Sequence, residues 1–319
     1  MCTSLSLPTP DGTNLFGRTL DLDTHFGEAP TLTPRRYPFS FADCYPLTHH
    51  YALLGMAAVA DNAVARGYPL YAEAMNEKGL CMAGLRFAES AVYATRPQTG
   101  FLNLAPWELI PYLLGTCATV AEARAALSDI CVVDKPFSDT VGTAPLHWHI
   151  VDADPAHGGL VVEVTSEGMR LYEADAGVLA NEPPYPAQLT ALRKATAADH
   201  LPAGYGSPAR FARTATLRRW WLERGSTCAA VDGTTQTAGY AVAQFFSLLG
   251  AVSPTAGAVM TPEGGCHRTL YTCCMDTAAG VYRYHTETDP TIRSISFSAQ
   301  KLNGEAPFIP NPDRISHPY

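Results

Sequence analysis

The sequence predicts an α+β domain built from antiparallel sheets with helices packed outside them. Two observations carry that expectation. Strand-like and helix-like segments come in separate blocks, in the order strands, helices, strands, helices, strands; such segregation suits antiparallel sheets better than a doubly wound parallel sheet. No internal repeat, low-complexity tract or linker divides the 319 residues, so a single domain over residues 1–319 is the simplest organisation.

The elements follow in order. Residues 3–7 and 14–20 flank Pro10-Asp11-Gly12, a hairpin signal. With Asp11 and Gly12 as the two central turn residues, Leu7 opposes Phe16 and Cys2 opposes Asp21. Directly opposed side chains lie about 5 Å apart at Cβ. Arg18 then falls on the other face, unless a bulge at Gly17 re-aims it. Residues 51–60 and 79–87 read as strands, and Met75-Asn76-Glu77-Lys78-Gly79 between them has turn chemistry. Residues 102–117 read as a helix. Thr119 offers an N-cap to a second helix over 120–127, with Glu122 as its capping-box partner. Residues 146–151, 159–164 and 169–173 return to strand character. A short helix at 187–198 sits inside a stretch, 181–207, that is rich in proline and glycine at both ends. Residues 209–223 and 240–249 have the helical period, and strands at 271–275, 280–285 and 292–297 close the chain.

Composition narrows the function. Hydrophobic content of 47%, charged content of 16% and a net charge of −8 describe a globular protein. Basic residues cluster no further than Arg35-Arg36 and Arg218-Arg219, which argues against nucleic acid or an anionic membrane as partner. The first residues lack the basic and apolar regions of a secretory signal, and Pro8, Pro10, Asp11 and Gly12 break any such helix. The most apolar stretch, 238–260, contains Pro254 and several glycines, so it reads as a buried helix and a loop rather than a membrane span. The nine cysteines, Cys228 among them, form no CxxC pair. That suggests neither a disulfide framework nor a zinc site, and fits a reducing, cytoplasmic setting.

Cys2 stands directly behind the initiator methionine. Removal of Met1 would give Cys2 a free α-amine, whose pKa near ~8 lets it accept a proton at cellular pH. Thiol nucleophile and amine base would then share one residue, as N-terminal nucleophile chemistry requires. The plainer alternative is an incidental cysteine beside a surface Arg18–Asp21 ion pair of little worth. His147 and His149 share a strand face as metal ligands might, but no third ligand stands out by spacing, and packing or hydrogen bonding is the simpler role. Trp220-Trp221 and Phe245-Phe246 read as helix core.

With these residues in view, the sequence resembles the choloylglycine hydrolase family, which comprises bile salt hydrolases and penicillin V acylases and belongs to the N-terminal nucleophile hydrolases. The resemblance rests on motifs in order. They are Met1-Cys2-Thr3, Asp11-Gly12, Phe16-Gly17-Arg18-x-x-Asp21, Asn76-Glu77-Lys78-Gly79-Leu80 and Ala83-Gly84-Leu85-x-Phe87. Then come Leu146-His147-Trp148, Val178-Leu179-x-Asn181, Ser207-Pro208-x-Arg210-Phe211 and Arg268-Thr269-Leu270-Tyr271-Thr272. It implies a four-layer αββα sandwich with two stacked antiparallel sheets, no cofactor, no metal and a homo-oligomer. It implies Cys2 as nucleophile, Arg18 and Asp21 holding the amine, thiol and substrate amide, Asn181 as oxyanion donor, and Arg210 supporting the polar network. Leu20, Phe26 and Phe137 fall near segments that line the substrate pocket in relatives.

Two departures stand out. Arg86 occupies a position where bile salt hydrolases usually carry Asn and penicillin V acylases Tyr; its backbone N–H can still serve the oxyanion, and its side chain can pair with an anionic head group. Only 28 residues separate Asn181 from Arg210, so the arm that braces a tetramer in relatives is short. The implied substrate is a small N-acyl amide. A glycine- or taurine-conjugated bile acid comes first, penicillin V or a related amide second. A non-catalytic small-molecule binding protein and a metal-dependent hydrolase are the rivals of other classes.

Overall fold

The computed structural model describes residues 1–58, 68–139, 141–198, 200–231, 238–261 and 264–310. Residues 59 and 60, the end of the predicted strand 51–60, lie outside these, as does the side chain of Cys228. The chain opens with β1 (Cys2–Pro8), β2 (Asn14–Leu22), β3 (Glu28–Thr33), β4 (Leu53–Ala58), β5 (Leu70–Asn76), β6 (Cys81–Arg86) and β7 (Leu102–Leu104). Helices α1 (Leu109–Thr116) and α2 (Val120–Leu127) follow, then β8 (Ile130–Val132), β9 (Leu146–Val151), β10 (Gly159–Thr165), β11 (Gly168–Glu173) and β12 (Val178–Leu179). Helices α3 (Tyr185–Ala197), α4 (Ser207–Val231) and α5 (Ala238–Gly250) precede β13 (Val259–Met260), β14 (Cys266–Asp276), β15 (Val281–Thr286) and β16 (Arg293–Ser296).

Apart from β7 and β8, which pair with each other, the strands form two antiparallel sheets. One has the order β12-β1-β2-β14-β15-β16, with β13 beside β14; the other runs β11-β10-β9-β6-β5-β4-β3. α4 and α5 cover the outer face of the first sheet, and α1 and α2 that of the second. The β1 strand is buried on both faces. Leu5 and Leu7 join a core with Phe211 of α4 and Phe245 of α5, while Met82, Trp148 and Ile150 of the second sheet pack with Leu109 and Leu113 of α1. These are the expected α+β layers. Among the described residues no helix is long and apolar enough to cross a membrane.

The hairpin register differs from the expected one. The Thr9 N–H donates to the Thr13 carbonyl at 2.9 Å and the Gly12 N–H to the Thr9 carbonyl at 3.0 Å. Gly12 takes a φ of 83°. This is a three-residue loop, Pro10-Asp11-Gly12, whose last position needs the left-handed region that glycine supplies. An odd loop shifts every pair by one residue. Cys2 therefore opposes Leu20, Ser4 opposes Arg18, and Pro8 opposes Asn14. Asp21 lies opposite Met1 instead: its N–H donates to the Met1 carbonyl at 2.9 Å, and the Met1 amine to its carbonyl. Cys2 and Arg18 thus share the face turned toward the second sheet, with no need of a bulge at Gly17. The ladder irregularity sits in β14, between Thr269 and Tyr271.

Two other expectations are corrected. The first residues of the predicted helix 102–117 form β7, paired in parallel with β8. Pro106 explains the boundary: Ala105 before it is extended, at φ −70° and ψ 156°, and a 3₁₀ turn at Pro106–Glu108 leads into α1. At α2, Thr119 caps the Glu122 N–H at 3.2 Å, but the Glu122 carboxylate accepts from the Ala118 N–H, one residue earlier than the capping-box pattern. Strands β3, β5, β8, β12 and β13 are not among the expected elements.

Two predictions test this architecture. A Cβ on Gly17 would meet the Cys273 carbonyl oxygen at 2.0 Å, so β2 and β14 approach only because no side chain intervenes. Gly17→Ala should cost about 3 kcal/mol, read as a lowered urea midpoint. His149 is buried between the sheets with Nδ1 2.9 Å from Ser4 Oγ, and burial, with Arg218 and His147 adding, lowers its pKa to about 3. The unfolded chain therefore binds a proton that the folded one refuses. The stability this represents is complete above pH 6.5 and is lost as pH falls toward about 3, at ~1.4 kcal/mol per pH unit. In His149→Gln that slope should vanish from the pH series of unfolding free energies, and an unchanged slope would show that His149 is not its source.

Candidate active site

Cys2 begins β1, a strand held between β12 and β2. Groups reach it from three directions. From the strand edge comes Asn181, two residues beyond β12. Its Oδ1 accepts from the Cys2 N–H at 2.7 Å and from Arg210 Nη2 at 2.7 Å. Its Nδ2 donates to the Arg86 carbonyl at 2.9 Å. Its own backbone is pinned by Ser207 Oγ at 2.8 Å and by Gln188 Nε2 at 2.6 Å. The amide is therefore fixed at both ends of its side chain, with one Nδ2 hydrogen still uncommitted.

The helical layer supplies Arg210, in the first turns of α4. Its Nη1 donates to the Cys2 carbonyl and to Thr3 Oγ1, the latter at 2.6 Å, and its Nε to the Tyr205 carbonyl at 2.9 Å. Burial lowers the pKa of this guanidinium, while Asp21 and Cys2 oppose that shift. Asp21 lies on the same outer side, its carboxylate accepting from Thr269 Oγ1 at 2.7 Å and Thr19 Oγ1 at 3.2 Å. The α-amine of Met1 sits in this field. Burial lowers its pKa from 8.0, Cys2 and Asp21 pull it up, and Arg210 and Arg18 push it further down.

Arg18 comes from the inner face. The β5–β6 ladder ends at the Glu73–Ala83 pair, and Arg18 reaches across from the facing sheet into the gap beyond it. Its Nη1 donates to the Gly84 carbonyl at 2.6 Å and the Ala72 carbonyl at 3.3 Å, and its Nε to the Thr19 carbonyl at 3.2 Å. Glu73 Oε2 lies 3.7 Å from Nε. Burial opposes the charge of Arg18, but Cys2, Tyr271 and Glu73 outweigh it and raise the pKa, so the side chain is a cation.

Cys2 and Arg18 open onto a cavity of about 430 Å³ lined by Leu20, Phe26, Arg86 and Phe137, and also by Trp107 and Tyr71. Leu20, Phe26, Arg86 and Phe137 thus line the cavity onto which Cys2 opens, while Asp21, Asn181 and Arg210 hold the backbone of Cys2 and the chain terminus. Trp107 and Phe137 meet edge to face at 5.0 Å. The Arg86 side chain is exposed at the rim and makes no hydrogen bond or ion pair with the described residues. Trp107, Glu73 and His267, whose Nδ1 is buried without a partner, escaped the sequence reading, because nothing in their local sequence marks them. A second hollow, of about 570 Å³ around Arg35, Glu77 and Lys78, shares no residue with this cavity. His147 is committed to the Ala180 carbonyl at 2.7 Å and to Glu163 at 3.2 Å, and His149 to Ser4. Among the described residues no group of three potential ligands could hold a metal.

Known proteins resemble this chain in sequence and fold. The bile salt hydrolase/transferase of Lactiplantibacillus plantarum is 33% identical, over 95% of this chain and 94% of that one. A crystal structure of a variant of the conjugated bile acid hydrolase from Clostridium perfringens superposes with a TM-score of 0.86 at 28% identity, covering 98% of this chain and 97% of that one. The penicillin V acylase of Agrobacterium tumefaciens has the same fold, with a TM-score of 0.77 at 20% identity over 96% and 90% of the two chains. The sequence model of the linear amide C–N hydrolases of the choloylglycine hydrolase family matches residues 2–204 and 187–310. On that match, and on the shared αββα layers, the chain belongs to the choloylglycine hydrolase family.

Proposed function

We propose that the chain is a bile salt hydrolase, cleaving the amide of glycine- or taurine-conjugated bile acids with Cys2 as an N-terminal nucleophile. The observation that carries this reading is the cavity. A largely apolar hollow ends at a buried thiol and carries at its rim a guanidinium with no partner among the described residues, a fit to an apolar acyl group with an anionic head. The relatives named as bile salt and conjugated bile acid hydrolases support it.

Loss of Met1 turns the Cys2 nitrogen into an α-amine, 2.7 Å from Asn181 Oδ1. The amine takes the thiol proton, and sulfur attacks the amide carbonyl. The resulting oxyanion is received by the free hydrogen of Asn181 Nδ2 and by the Arg86 backbone N–H. The Arg86 carbonyl already points at Asn181, and in an extended strand the N–H and C=O of one residue leave by the same edge. Losing one such donor typically costs ~10²–10³ in rate. Collapse breaks the C–N bond, the leaving amine takes the proton from the α-ammonium, and a thioester remains. Water then attacks the thioester while the amine accepts its proton, and the thiol is restored. The chemistry calls on no cofactor. The free cysteines among the described residues fit a reducing, cytoplasmic setting.

The aromatic wall of Phe26, Trp107 and Phe137 favours a second reading, an aryl-acyl amide such as penicillin V. Two measurements decide. The mature protein should weigh one methionine less than the sequence, and Cys2→Ala should lose hydrolysis to background while keeping its fold; an active protein that retains Met1 would sink the mechanism. Arg86→Leu should raise KM for taurocholate and glycocholate about tenfold with kcat little changed, and leave a neutral N-acyl amide untouched. Equal KM values for wild type and variant would remove Arg86 from head-group binding.

A further inference from the structure

Arg18 carries its charge into a buried layer where backbone carbonyls are its main acceptors, and a cation there needs a counter-charge. Among the described residues Glu73 of β5 is the carboxylate paired with it. Glu73 is fully buried and is itself held at both oxygens. Tyr282 Oη donates to Oε1 at 2.8 Å and Tyr271 Oη to Oε2 at 2.8 Å. These two tyrosines come from β15 and β14, in the sheet opposite β5. One carboxylate therefore ties both sheets together beside Arg18, and it is not part of the cavity lining. Arg18 Nε and Nη1 are spoken for, whereas Nη2 has no protein acceptor among the described residues, and Arg18 and Cys2 line the same cavity.

We propose that Glu73 is a positioning residue for the amidase reaction, which orients Arg18 through the Tyr271–Glu73–Tyr282 clamp and offsets its charge, so setting how strongly Arg18 stabilises the Cys2 thiolate. This rests on the proposed function only in taking Cys2 as the nucleophile. Removing a negative charge beside a buried cation leaves more of that cation's field for the sulfur, so the thiol ionises at lower pH. Burial raises the pKa of Glu73, against Arg18 and the hydroxyl hydrogen bonds, as expected of a carboxylate whose charge depends on these partners. The groups facing Glu73 are Arg18 of β2, Tyr271 and Cys273 of β14, and Tyr282 of β15. Around Cys2 stand Arg18 and Asp21 of β2, Arg210 of α4 and the terminal amine.

The test is the pH dependence of Cys2 alkylation by iodoacetamide, followed by mass analysis of the N-terminal peptide and needing no substrate. In Glu73→Gln the midpoint should move to lower pH by about one unit. Tyr282→Phe, which removes one hydroxyl from Glu73 and touches no atom of Arg18, should shift it the same way by less, and serves should Glu73→Gln fail to fold. A midpoint unmoved in a folded variant, or moved upward, overturns the proposal and leaves Glu73 a purely structural clamp. Failure of the bile salt reading would show separately, as absent hydrolysis in a wild type whose Cys2 still alkylates.

Discussion

Because the β1–β2 hairpin turns on three residues, Cys2 lies opposite Leu20, and its side chain projects to the same face as Arg18. A two-residue turn would have reversed this. Asp21 would oppose Cys2, and the guanidinium would point into the helical layer. Strand periodicity makes such a choice all-or-none, since a slip of one residue moves every side chain to the other face. The sharing of labour follows from this register. The inner face carries thiol, Arg18 and cavity; the outer face carries Asp21, Thr3 and the grip of Arg210 on the Cys2 backbone.

The charged groups are costly where they stand. Arg18, Arg210 and Glu73 are essentially excluded from solvent, and a buried ion is tolerated only when its hydrogen-bonding groups are engaged. Each solution recruits a different layer: β5 and β6 carbonyls for Arg18, the β1 terminus and Asn181 for Arg210, two tyrosines of the first sheet for Glu73. The site thereby becomes a place where both sheets and α4 must be present at once. The apolar cavity beside it interrupts none of these bonds, so its lining is free to suit an acyl group.

Much of this was legible in the chain. The segregated blocks foretold antiparallel sheets under helices, and Cys2 behind Met1, with Arg18 and Asp21 in the facing strand, marked the hairpin as the candidate reactive end. The register was not, since Pro10-Asp11-Gly12 is compatible with two-residue and three-residue loops, and the Thr9–Thr13 hydrogen bond that decides between them is invisible in sequence. β7 was read as helix because a short apolar run has no decisive period, although Pro106 was the available clue. Glu73 was missed for a deeper reason. Its strand alternates only over its first residues and is buried on both faces from Glu73 onward, and its tyrosine partners lie some two hundred residues away. A role made wholly of long-range contacts leaves no local mark.

The central claim is that one residue, at the mature terminus, supplies nucleophile and base together. Acid quenching during turnover of glycocholate, followed by peptide mass analysis, tests it most directly. The account predicts a cholyl thioester on a peptide that begins with Cys2. An acyl group on any other residue, or on a peptide still carrying Met1, would contradict it.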